Sequence, residues 1–125
     1  MSEEPGLIER SLERCSRGLA VAACALTVAA ILAIALHAPI EREQGVVQKI
    51  FYVHVPSAWV AFLAFAFVFV ASIGYLWKKN TGWDAVAYCS AEIGVLFCTL
   101  VLATGPLWGK AVWGAWWTWD PRLTL

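Results

Sequence analysis

The chain has 125 residues, of which 61% are hydrophobic and 14% charged, with a formal net charge of zero and a mean hydropathy of +0.69. Soluble domains carry about 25% charged residues, so this composition excludes an ordinary soluble core, and without net positive charge no nucleic-acid partner is expected. The four cysteines, Cys15, Cys24, Cys89 and Cys98, show no CxxC spacing, which excludes the usual thiol-redox, zinc and covalent cofactor-attachment signatures.

Residues 1–17 read as a short amphipathic or frayed leader, with Leu7, Ile8 and Leu12 spaced for one helical face. A first apolar run over about 18–38 is long enough to cross a bilayer, whose hydrocarbon core takes roughly 20 helical residues. It is read as a retained span and not a signal peptide, because its apolar stretch exceeds roughly 15 residues and acidic and basic residues are mixed before it. Pro39 stops this helix and 41–44 form a polar loop. Val47, Ile50, Phe51 and His54 then fall at i, i+3, i+4 and i+7, one face of a short helix that Pro56 is expected to end or kink.

A second span covers about 57–77. Phe62, Phe65 and Phe69 form one stripe on it, opposite Ala64 and Ala71, a pattern read as lipid-facing bulk on one side and close helix packing on the other. The link 78–84 contains Asn80 and Gly82 and is short enough for an antiparallel hairpin. The third span covers about 85–104 and carries Glu92 at mid-helix, with Tyr88 one turn earlier as a hydrogen-bond partner. Gly105-Pro106 is expected to end it. Backbone amides in lipid must all be paired internally, so the fold class is an all-α membrane protein of three transmembrane helices with a Trp-rich external interfacial segment, forming a single membrane domain over 1–125. Lys and Arg number five on the side of the N-terminus and the 78–84 link and four on the other, which leaves orientation barely biased toward an internal N-terminus.

The segment after the third span holds Trp108, Trp113, Trp116, Trp117 and Trp119 within twelve residues. One hairpin separates it from His54, so topology puts both on the same side of the membrane. If helical, Trp113, Trp116, Trp117 and Asp120 would share a face. An aromatic belt explains one or two Trp per helix end; five look like a platform for a large flat apolar ligand. Haem suits it: the macrocycle needs aromatic walls, the iron an axial donor, the propionates cations. His54 is the candidate axial ligand, with His37 a weaker one. Lys110 and Arg122 are the candidate propionate partners, and Asp120 could orient Arg122 or hold an indole N–H.

Two strings carry a family resemblance: Ile50-Phe51-Tyr52-Val53-His54-Val55-Pro56-Ser57-Ala58-Trp59, and Gly105-Pro106-Leu107-Trp108-Gly109-Lys110 continuing through Trp113-Gly114-Ala115-Trp116-Trp117-Thr118-Trp119-Asp120-Pro121-Arg122-Leu123-Thr124. They resemble the haem exporter protein C family of system I cytochrome c maturation, whose members share a WWD motif. The likeness covers about residues 49–124. It implies that His54 is an external axial ligand to haem iron, that Trp113 to Asp120 belong to the haem-binding WWD segment within 105–124, and that the N-terminus is cytoplasmic and the motifs periplasmic at the bacterial inner membrane.

The implied cargo is non-covalent haem b, handed without enzymatic turnover to a membrane-anchored haem chaperone, protein E, alongside ABC transporter subunits and a small membrane subunit. The family has six spans and a second axial histidine in a later external loop. The chain is therefore expected to be the N-terminal portion of such a domain, a truncated sequence or degraded gene being favoured over a working three-span protein, with a split protein completed by a partner as the alternative. The rival functional reading is a small membrane scaffold that docks a partner through its Trp segment and never binds haem. A b-type electron-transfer cytochrome is disfavoured, because neither His37 nor His54 lies at mid-membrane.

Overall fold

The computed structural model describes residues 4–120. It is helical throughout: α1 (Glu4–His37), a short 3-10 helix (Val46–Ile50), α2 (Phe51–Lys78) and α3 (Thr81–Trp113), with no β-sheet among the described residues. Three helices are long and apolar enough to cross a membrane, over Glu9–His37, Val46–Lys78 and Thr81–Trp113. Two compact units result, Met1–Pro39 and Ile40–Leu125.

In the first unit the expected leader and span are one continuous helix. The Glu, Arg, Leu and Ala residues across the junction are strong helix formers, so nothing there breaks the ladder. The Arg17–Glu13 ion pair (3.6 Å) supports the polar end weakly, both side chains being exposed. Deeper in the apolar run, the Thr27 hydroxyl donates to the Ala23 carbonyl (2.9 Å), which satisfies a polar group without leaving the helix. The Leu7 and Ile8 side chains, on which the amphipathic reading of the leader rested, lie outside the described residues.

The second unit is an antiparallel pair of helices. Its entry loop is fixed by Glu41, whose carboxylate accepts the N–H groups of Glu43 (2.9 Å) and Gln44 (2.6 Å), while its carbonyl accepts Gly45 N–H (3.0 Å). Gly45 has φ 63°, a conformation that costs residues with a Cβ roughly 1–2 kcal/mol. The 3-10 helix then runs straight into α2. Pro56 lies inside α2 and does not end it, so of the two outcomes the sequence offered, an end or a kink, the end does not occur. Its ring is compatible with helical φ, and continuing costs only the bond Pro56 cannot make, whereas a break in lipid would expose several backbone groups.

At the far end the link is tighter than the expected 78–84, because α3 already starts at Thr81. Lys79 takes the left-handed conformation (φ 49°) and its N–H donates to Tyr75 carbonyl (2.7 Å). Asn80 caps α3, its side-chain oxygen accepting Gly82 N–H (2.7 Å). The helices meet through small residues: Ser57, Ala61, Ala64 and Ala71 are buried on α2 and Gly94 and Gly109 on α3, which lets the backbones approach closely. Phe62 and Phe69 point outward as the stripe required, and Phe65 instead lies over Gly94, 3.2 Å from where a Cβ would stand. On α3, Tyr88 and Glu92 interact one turn apart, and both are exposed within this unit.

The closest approach is at Gly74, where a Cβ would lie 2.7 Å from the Trp83 indole. Gly74→Ala is therefore expected to destabilise the hairpin by about 1–3 kcal/mol, the usual cost of overpacking. Gly18→Ala, where nothing lies within 4 Å, should instead be neutral or mildly stabilising. Thermal unfolding of the two variants in one detergent, followed by far-UV circular dichroism, checks the contrast.

Candidate functional site

The functional site grows from a helix that does not stop where its sequence suggested. α3 passes through Pro106 and ends at Trp113. Pro106 removes only the N–H that would have paired with the Leu102 carbonyl, and the two further turns are held laterally by aromatic packing. Trp108 stands edge-on to Phe51 (centroids 5.1 Å, interplanar 89°) and to Trp113 (4.9 Å, 80°), the arrangement that aromatic quadrupoles favour. Its indole N–H donates to the Gln44 side-chain oxygen (3.2 Å). The start of α2, the entry loop and the extended end of α3 are thereby tied at one end of the hairpin.

Gly114 then reverses the chain with φ 75°. Its N–H donates to the Lys110 carbonyl (3.1 Å) and its own carbonyl accepts the Lys110 ammonium (2.9 Å). The chain returns over buried Gly109, with the Ala115 carbonyl 3.6 Å from the position of a Cβ there. Residues 115–118 accordingly fold back as an irregular segment, so Trp113, Trp116, Trp117 and Asp120 do not form the helical face that continued helix would have given.

Between these elements lies a cavity of about 380 Å³. Ile50 lines it from the 3-10 helix, Phe51 and His54 from α2, Gly105, Pro106 and Trp108 from α3, and Trp113, Trp116 and Trp117 from the helix end and returning segment. His54 is its one lining imidazole. The ring lies against the α3 backbone, with Cε1 3.3 Å from where a Cβ on Gly105 would be, and its Nδ1 is 2.8 Å from the Thr104 hydroxyl.

The fold thus brings together His54, Trp108, Trp113, Trp116 and Trp117 from the sequence-selected set. Trp119 does not line the cavity; it is 85% exposed and meets Trp117 edge-on at 6.1 Å. Lys110 is spent on the Gly114 carbonyl and sits 6.0 Å from the centre of the Trp116 ring, outside the lining. Asp120 is partly buried but is not a lining residue. Arg122 lies outside the described residues. Thr104 and Gln44 were missed by sequence reasoning: a lone Thr at a span end and a lone Gln in a loop carry no periodic signal. Phe51 was legible only as a neighbour of His54 on one helix face.

The chain matches the family model described as haem exporter protein C over residues 3–125. It is 41% identical over 98 residues to a haem exporter protein C of Bradyrhizobium diazoefficiens, covering 75% of this chain and 37% of the relative. Against the haem exporter protein C of Escherichia coli K12 it is 42% identical over 88 residues, 70% of this chain and 36% of the relative. A putative cytochrome c biosynthesis ccmC-like mitochondrial protein of Marchantia polymorpha is 39% identical over 99 residues, with 79% and 43% covered. The chain therefore spans about two fifths of the length of these relatives. No solved structure matches it. A match over nearly its whole length, together with three apolar helices long enough to cross a membrane, makes this chain a member of the haem exporter protein C family.

Proposed function

We propose that this chain holds haem non-covalently at the outer face of the bacterial inner membrane for cytochrome c biogenesis, with His54 as an axial ligand and the Trp108, Trp113, Trp116 and Trp117 indoles as walls. The observation that carries this reading is the single imidazole, among the described residues, set into a cavity whose lining is otherwise mostly aromatic and aliphatic. A flat apolar macrocycle is recognised by such walls. A histidine that makes one hydrogen bond through Nδ1 keeps its other nitrogen for a metal. The residues present therefore fit haem b as cargo. Haem itself supplies the iron and four of its ligands, while the chain supplies an axial donor, exclusion of water by the indoles and a rim at the membrane boundary.

Trp119, Asp120 and Lys110 belong to that rim in this reading, on the side where a haem propionate would reach water, and Arg122 is a further proposed propionate partner. The N-terminus is cytoplasmic and the cavity periplasmic. Release would be to a membrane-anchored haem chaperone, protein E, with an ABC transporter pair and a small membrane subunit as the other partners. The chain's role is binding and transfer, without turnover of a substrate.

Titrating hemin into the full chain in detergent tests the reading. A saturable shift of the Soret band with one haem per chain, accompanied by quenching of tryptophan emission, is expected. Unsaturable absorbance changes identical to hemin in empty micelles would exclude a defined site.

A further inference from the structure

The contacts of Thr104 decide which nitrogen of His54 carries the proton. The Thr104 hydroxyl lies 2.7 Å from the Leu100 carbonyl, with the Val101 carbonyl farther away at 3.4 Å, and 2.8 Å from His54 Nδ1. A hydroxyl has one proton to give, and a carbonyl can only accept. If that proton were given to Nδ1, the 2.7 Å contact with Leu100 would bring two oxygens together with no hydrogen between them. Donation to Leu100 instead leaves a hydroxyl lone pair facing Nδ1, and the contact there is then a hydrogen bond only if Nδ1 is protonated. This is the one assignment that puts a proton in both short contacts.

A neutral imidazole protonated at Nδ1 is aprotic at Nε2. Nε2 has no protein partner among the hydrogen bonds of His54, and no buried side-chain nitrogen or oxygen among the described residues lacks a partner. The nitrogen is therefore accessible on a residue that lines the cavity. The ring lies close over Gly105 as well, its Cε1, the carbon between the two nitrogens, standing 3.3 Å from where a Cβ on Gly105 would be.

We propose that Thr104 is a positioning residue that fixes His54 in the Nδ1-protonated tautomer, so that Nε2 is presented to an incoming metal centre before any ligand arrives. The part of this that concerns haem rests on the proposed function; the tautomer does not. Histidine selected in this way needs no proton shift on binding, and outer-shell partners of metal-binding histidines act by fixing tautomer and ring orientation.

The test has two readouts. In the full chain labelled with ¹⁵N-histidine, without haem and in alkaline buffer, His54 is expected to show a protonated, pyrrole-type Nδ1 and a pyridine-type Nε2. The His37→Gln variant assigns the signals. Thr104→Val should convert His54 to a mixture of tautomers, and Thr104→Ser should keep the native pattern. In hemin titrations Thr104→Val is expected to bind about 10- to 100-fold more weakly, the usual effect of losing such a partner, with Thr104→Ser restoring affinity.

A wild-type His54 protonated at Nε2 overturns the proposal without any variant, as does a Thr104→Val protein with unchanged nitrogen signals. If the tautomer is as stated and wild-type chain shows no saturable hemin binding, the haem-holding reading fails while the tautomer assignment stands. If hemin binding depends on His54 but Thr104→Val binds as wild type, the positioning role alone is overturned.

Discussion

His54→Ala is expected to weaken hemin binding by the full chain more than about 100-fold and to remove the low-spin character that an imidazole ligand imposes on the absorption spectrum. The magnitude follows from comparison: losing a partner that only orients a ligand costs about 10- to 100-fold, and losing the ligand itself must cost at least as much. The aromatic walls remain in this variant, so residual association through stacking should persist with a spectrum like that of hemin in an apolar solvent. Added imidazole should then restore much of the native spectrum by filling the space left behind. An absorption spectrum that His54→Ala leaves unchanged would remove the ligand assignment.

Trp108→Ala is expected to be the most damaging single truncation for stability, at about 2–4 kcal/mol. Replacing a large aromatic by alanine costs about 3–5 kcal/mol in a core, and the figure is reduced here because Trp108 is only partly buried. Three distinct interactions are lost together: the edge-on contacts with Phe51 and Trp113, and the hydrogen bond to Gln44. Since lipid is as apolar as the side chains it replaces, the cost comes from packing and the hydrogen bond more than from hydrophobic transfer. Trp77→Ala is the matched control, because Trp77 is 85% exposed and its loss should stay within about 0.5 kcal/mol. Denaturant titration followed by circular dichroism measures both. Equal midpoints for the two variants would mean that Trp108 does not tie the entry loop to α3.

Much of the fold was legible in the chain because lipid simplifies the rules. Apolar length fixed three spans, and the requirement for internal backbone pairing made them helices. The stripe of Phe62 and Phe69 opposite Ala64 and Ala71 announced which face of α2 would be buried, since only small residues let two helices approach. What misled was proline. Pro106 was read as a helix end and Pro56 as an end or a kink, by a rule drawn from water, where a freed carbonyl is hydrated and breaking costs little. Where water is scarce a helix loses less by continuing past the ring, and α2 and α3 both do so.

That difference governs the candidate site. Had α3 stopped at Gly105, Trp108 and Trp113 would have had no fixed relation to Phe51 and His54. Continuation places Trp108 on Phe51, and the left-handed Gly114 folds Trp116 and Trp117 back over the same cavity. The sequence alone determined that His54 and the tryptophans share one end of a hairpin, because two consecutive antiparallel spans return the chain to the side it left. Only the tertiary structure decided which of them line a common cavity, that Lys110 and Trp119 stand outside it, and that Thr104 holds the imidazole. Those outcomes depend on distances between residues up to 64 positions apart, set by side-chain packing that no local periodicity records.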